Sequence, residues 1–205
     1  MTFRDQGNKR FPADLRKEIW DLAELFADTR AGGSDPTQQN LLGWSYDPQI
    51  GSGNSVIGGG VEYLTRVVPV RDGTVKNVTL GLHSVGVTLT SGQCFAGLRD
   101  RSGNLLGKTV SQHTNWASGL FEKKMALDVP VDVLGGVPVY VCFVANGSTL
   151  PGFARLSTSD VINAGCIAGQ GRSMYSGGGL TDLPASVTMP GLGMTNVVGW
   201  WAAIS

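Results

Sequence analysis

The feature that most constrains the fold is the run from Val75 to Val110, where apolar residues alternate with polar or small ones in three successive short stretches. Val78, Leu80 and Leu82 form the first, Val85, Val87 and Leu89 the second, and Cys94, Ala96 and Leu98 the third. A side-chain period of two marks strands with one buried face. Asp100-Arg101-Ser102-Gly103-Asn104 follows and predicts a tight reversal, because glycine accepts positive φ while Asp and Asn bond their own backbone. The expected unit is a β-hairpin. A hairpin alone is marginal in water, so these strands need a sheet and a second layer over their apolar faces.

The chain supplies more strands on both sides. Val61 to Val70 predicts a strand that Pro69 pushes toward an edge or a terminus, and Met125 to Val133 predicts another, interrupted by Pro130. Val137 to Ala145 is apolar on both faces. Such a strand lies in the middle of a sandwich or under a neighbouring subunit. Asn146-Gly147 signals a turn, Pro151 to Leu156 is extended again, and residues 157 to 195 are irregular and rich in Gly and Ser. The apolar segment Val197 to Ile204 is expected to close the sheet, with Trp200 and Trp201 on opposite sides of it. Short strands separated by Gly, Pro and Asn turns, with no helix between them, predict a mainly β fold: an antiparallel jelly-roll-like β-sandwich over residues 61–205.

The N-terminal part differs. Residues 1–35 form an anchoring or oligomerisation segment with a helix at 12–30: Pro12 suits a first turn, and Leu15, Ile19, Leu22 and Phe26 recur at spacings of four, three and four. This is the seam of a short coiled coil, trimeric in one reading, and equally a face for a helix folded back on its own domain. Residues 36–60, with the run GSGNSVIGGG, are expected to be a Gly/Ser-rich connector. A phosphate-loop reading of that run fails, since Val56 stands where a third glycine belongs and no GK[ST] occurs.

Composition narrows the function. Lys plus Arg equals Asp plus Glu at 16 each, so no basic excess points to nucleic acid or an anionic membrane surface. Charged residues make up 16%, below the usual quarter, which suggests an assembled protein with part of its surface covered. No stretch approaches the ~18 apolar residues of a membrane helix and no signal-peptide core appears, so cytoplasmic synthesis and no membrane insertion are expected. Cys94, Cys142 and Cys166 lack zinc-site spacing and predict buried thiols.

Catalytic sets are hard to assemble from these residues. His83 and His113 are the histidine bases, Gly171-Arg172-Ser173-Met174-Tyr175 lacks the second glycine of a nucleophile elbow, and no pair of acids can be placed together from sequence. The expectation is a non-enzyme with no cofactor and no bound metal. Asp100 with Asn104 is either a calcium-binding turn or a turn cap, and capping is favoured because calcium takes six or more oxygens. The candidate ligand-binding residues are Gln112, His113, Asn115 and Trp116: the indole would stack on a sugar and the polar three supply hydrogen bonds. The competing reading turns Trp116 inward to plug one end of the sandwich.

The segments YLTRVVPVRDG, LTSGQ, LRDRSGNLLG, the Gln112-to-Trp116 loop, ANGSTLPGFAR and the closing WWAAIS occur in that order. Together they resemble the β-sandwich domain of minor tail or fibre proteins of bacteriophages that infect actinobacteria, over residues 60–205. The resemblance implies a non-enzymatic virion component, homotrimeric, displaying its sandwich for host attachment or virion assembly, with other virion proteins and a host-surface glycan as partners. It supplies no catalytic residues. One alternative is a capsid decoration or head-fibre protein with the N-terminal segment docked on capsid; another is the carbohydrate-binding module of a cell-wall-degrading enzyme.

Overall fold

The protein is described by a computed structural model, which covers residues 35–156, 162–163, 166–194 and 198–205. The chain divides into Met1–Asp35 and Pro36–Ser205. The expected helix at 12–30, with Leu15, Ile19, Leu22 and Phe26, lies outside the described residues. No helix among the described residues is long and apolar enough to cross a membrane.

The second unit is mainly β and antiparallel. Its strands in chain order are β1 (Gly43–Trp44), β2 (Gly51–Val56), β3 (Tyr63–Val67), β4 (Gly73–Ser84), β5 (Val87–Leu89), β6 (Phe95–Arg99), β7 (Leu105–Lys108) and β8 (Phe121–Val133). They continue with β9 (Val139–Val144), β10 (Gly147–Thr149), β11 (Gly152–Leu156), β12 (Ser173–Tyr175), β13 (Gly193–Met194), β14 (Gly199–Trp200) and β15 (Ala202–Ile204). One sheet is built around β4, which pairs with β8 along one edge and with β15 and then β11 along the other. β1 extends it beyond β15, while β2 and β14 extend it beyond β11. The second sheet runs β13-β12-β3-β9-β6-β7.

Period two does what the sequence led us to expect. Val75, Val78, Leu80 and Leu82 of β4 are buried and face Ala96, Leu98, Val141 and Phe143 of the other sheet in one continuous core. Phe143 sits at its centre, edge-on to Phe153 at 5.1 Å between ring centroids and to Trp200 at 5.6 Å. Edge-to-face pairs of this kind add about 0.5–1.5 kcal/mol beyond the area they bury. The hairpin is β6–β7, and the reversal between them falls on residues 100–104. β3 stops before Pro69, as a prolyl nitrogen requires. In β8, Pro130 falls within a bulge between the Ala126–Asn77 and Val131–Val75 pairs, where its missing N–H breaks no ladder bond.

Two expectations need correction. Residues 36–60 are not a free connector: β1 pairs with β15, β2 pairs with β11, and Leu42 and Ile57 join the core. Glycine in this stretch serves strand packing, as at Gly43, where a Cβ would stand 2.8 Å from the Val68 carbonyl oxygen. The second alternating stretch also departs from the main sheets, since β5 pairs only with β10 and leaves Val87 54% exposed.

β9 is buried on both faces by the chain itself. Val139, Val141 and Phe143 point into the central core, while Tyr140, Cys142 and Val144 enter a second cluster with Leu64, Met174, Leu183 and Met189. The irregular segment from Ser176 to Leu192 supplies that outer cover. It is fixed by a fully buried ion pair: Arg99 Nε donates to Glu62 Oε1 at 2.7 Å and Nη2 to Oε2 at 3.3 Å, with both side chains wholly hidden. Nη1 donates to the Gly103 carbonyl at 2.9 Å, and Nη2 also donates to the Pro184 carbonyl at 2.8 Å. The Cys142 thiol lies beside this pair, and burial followed by the Glu62 charge pushes its pKa well up.

Removing one partner of such a pair leaves a charge stranded in the interior. Arg99→Met is expected to cost about 3–5 kcal/mol, whereas adding Glu62→Leu to it recovers a large part of the loss. Urea denaturation of wild type, both single variants and the double variant measures the coupling.

Candidate functional site

The outer face of the β4 sheet, turned away from the core, carries a concavity. Its floor follows from cross-strand register. Glu122 on β8 stands opposite Gly81 on β4, and Ala154 on β11 stands opposite Asn54 on β2. A Cβ at Gly81 would meet the Ala154 methyl at 2.9 Å and Trp201 Cε3 at 3.5 Å, so the lack of a side chain there lets β11 and the indole close in. Gly53 continues the floor, with the Arg155 side chain against it. Tyr46, Trp201 and Phe121 form aromatic walls around a groove of about 600 Å³, with His83 and Glu122 as its ionisable groups. Among the described residues no lysine or arginine lines it, and the Arg155 guanidinium lies beside Gly53.

Local sequence explains each wall. Trp201 links β14 to β15, and its backbone N–H donates to the Ala154 carbonyl at 2.9 Å, which places the indole beside the floor. Trp200, on the opposite side, is core at 2% exposure, so the pair divides as strand alternation demands. Tyr46 precedes a 3₁₀ turn, Pro48–Ile50, which Asp47 caps by accepting from the Gln49 N–H at 2.9 Å. Burial raises the Tyr46 phenol pKa against the lowering influence of Arg155. The Tyr46 hydroxyl and Trp201 Nε1 are hidden from solvent with no protein hydrogen-bond partner. Asn54 Nδ2 lies 2.8 Å from His83 Nδ1 at the groove's side.

Phe121 is the exceptional residue. Its φ is +79°, in the left-handed region, and its side chain is 81% exposed. A bulky residue in that conformation costs on the order of 1–3 kcal/mol. Burial offsets none of it.

The sequence-predicted site lies elsewhere, and its central residue is corrected. Trp116 is fully buried, packs edge-on against Phe153 at 5.3 Å between centroids and directs Nε1 at Met125 Sδ at 3.3 Å. Its ring offers no face to a sugar, because the void at the end of the sandwich needs a large apolar plug. Gln112 is also buried; its Nε2 donates to the Val110 carbonyl and its Oε1 accepts from Asn115 Nδ2, both at 2.8 Å. These bonds shape the loop. His113 Nδ1 lies 3.2 Å from Ser111 Oγ, which itself accepts from the Gly92 N–H at 3.0 Å. A Ser–His contact alone is not a nucleophile and base without a group orienting the ring.

The groove was missed because its residues come from distant parts of the chain. The one local sign was Trp200-Trp201, where alternation required an outward indole. Asp100 behaves as the turn cap: Oδ1 accepts from the N–H groups of Ser102 at 2.8 Å and Asn104 at 2.9 Å, and Oδ2 from Asn104 Nδ2 at 2.8 Å. No group of three or more His, Cys, Asp or Glu able to hold a metal occurs among the described residues.

Two outcomes follow for these residues. Trp116→Ala is expected to destabilise the protein by about 3–5 kcal/mol in urea denaturation, as deletion of a buried aromatic does. For Asp100, burial pushes the carboxyl up, but the bonds from Asn104, Ser102 and Gly103 outweigh it and hold the pKa below the usual carboxylate range. Folding therefore favours the ionised form. The contribution is present above the unfolded value near ~4 and fades as pH falls through the lower folded value. Asp100→Ala should cost about 1 kcal/mol at neutral pH, with the gap to wild type narrowing below about pH 4.

Compared with known proteins, the chain matches no protein-family model and no curated relative.

Proposed function

We propose that this chain is a non-enzymatic structural and adhesive protein of a bacteriophage virion, a minor tail or fibre protein. Its jelly-roll-type sandwich is displayed for attachment to the host surface. The observation that carries the adhesive part is the aromatic-walled groove on the outer face of the β4 sheet, open at the surface and floored by Gly53, Gly81 and Ala154. Aromatic walls favour retention of a ligand by stacking and shape. The virion part rests on the resemblance of residues 60–205 to tail and fibre sandwiches. The N-terminal seam Leu15, Ile19, Leu22 and Phe26 supports a homotrimer.

Antibody labelling of purified particles tests the reading. Decoration of tails or fibres is the expected result; decoration of heads instead identifies a capsid decoration protein, and unlabelled particles reject both. Mass measurement of the purified full chain should give a trimer, and substitution of Leu22 by Asp should yield monomers.

A further inference from the structure

We propose that the groove between Trp201 and Phe121 binds a neutral saccharide chain, with sugar rings lying over the Gly81–Ala154 floor; this deepens the adhesive reading and rests on it. Size is the first reason. A volume of about 600 Å³ falls within the ~300–1,000 Å³ of small-ligand sites.

The chemistry of the lining is the second. A sugar ring has an apolar C–H face and a polar rim of hydroxyls that both donate and accept. Trp201 and Tyr46 offer aromatic surface to the C–H face, and the indole, packed on Gly81 and the Ala154 methyl, is the surface a flat ring meets. For the rim, Asn54 Nδ2 donates to His83 Nδ1, which leaves the ring proton on Nε2 as a donor and the amide oxygen as an acceptor. The Glu122 carboxylate, across the floor from that pair, is a second acceptor. Vicinal hydroxyls match this mixture. An anionic sugar matches it less well, since the Glu122 carboxylate would repel it and the nearby Arg155 guanidinium is engaged, its Nε donating to the Asn54 carbonyl at 2.7 Å.

Phe121 is the third. A phenyl ring held out at φ +79° and 81% exposed gains little from its own chain. Strain of this kind concentrates at binding sites, where a ligand's contacts offset it. The rim residue Leu120, 47% exposed, extends the same apolar lip.

The test uses the full chain on an array of neutral gluco-, manno-, galacto-, arabino- and N-acetylglucosamine oligosaccharides, with sialylated and uronic acid oligomers as anionic comparators. Hits are followed by titration calorimetry. The expected result is binding to at least one neutral series, weakened about tenfold or more by Trp201→Ala and by Phe121→Ser. Because Phe121 is exposed, Phe121→Ser should keep the wild-type unfolding midpoint and remain informative even if Trp201→Ala misfolds. The inference is overturned by binding of no neutral series, by preference for the anionic oligomers, or by binding that survives Phe121→Ser but is lost in His113→Ala. It is also overturned if Phe121→Ser lowers the oligomeric mass while no sugar binds, which assigns the groove to contact between copies. Virions labelled on their tails by antibody, with no sugar bound, would sink this inference and leave the virion reading standing.

Discussion

The outer architecture of the second sheet depends on one buried charge pair. Glu62 and Arg99 are both fully hidden, and a bare carboxylate or guanidinium in that position is prohibitive unless every donor and acceptor is matched. The matching is what organises the neighbourhood. Glu62 leads into β3, Arg99 ends β6, and the guanidinium's other donors reach the carbonyls of Gly103 and Pro184. A turn and an irregular segment more than eighty residues apart are thereby brought to one point. Gly103 is required there: its φ is +94°, and any Cβ would run into the Val187 carbonyl oxygen. The Val187 N–H in turn donates to the Gly103 carbonyl at 3.0 Å. With that segment held, Leu183 and Met189 cover Tyr140, Cys142 and Val144, and β9 becomes an interior strand without help from another subunit.

What sequence could show was local. β4, the β6–β7 hairpin and the two-sided β9 were legible because period two, a Gly/Asn turn and an unbroken apolar run each leave a mark within a dozen residues. Asp100 as a turn cap was legible for the same reason. The stretch 36–60 was misread because glycine signals two opposite things: a flexible chain, or a strand where another backbone must come close. Only the Cβ clash at Gly43 separates them, and that needs the tertiary partner. Trp116 illustrates a related limit. A polar loop sequence does not say whether the tryptophan within it faces out or in, and here the core required it. Glu62 and Arg99, 37 positions apart, gave no hint of each other.

The two faces of the β4 sheet are under different demands. The inner face carries Val75, Val78, Leu80 and Leu82, all with negligible exposure, in a core that tolerates little change of volume. The outer face at the same register level carries Gly81 and Ala154, which contribute almost nothing to that core. Local consistency, the mark of a sequence selected for its fold, lapses at Phe121, a strained and exposed aromatic. At the same place the hidden Tyr46 hydroxyl and Trp201 Nε1 lack hydrogen-bond partners, as Thr79 Oγ1, Ser173 Oγ and Trp200 Nε1 do elsewhere among the described residues. Such departures are expected where a surface is shaped for something other than stability.

Openness has an energetic consequence for the proposed adhesive role. A shallow groove with few charged groups neither steers its ligand from a distance nor encloses it, so a single site holds a sugar weakly and releases it quickly. Attachment to a surface bearing a repeated polysaccharide does not require a tight single site. In a trimeric display, each further contact is intramolecular, and avidity can exceed single-site affinity by about 10²–10⁴ if the spacing allows simultaneous engagement. The neutral overall charge fits that use, because it limits unselective adhesion to anionic surfaces and leaves discrimination to stacking and hydrogen-bond geometry. A weak, sparsely charged, aromatic-walled groove is therefore better suited to a multivalent attachment protein than to a monomeric receptor for a soluble sugar.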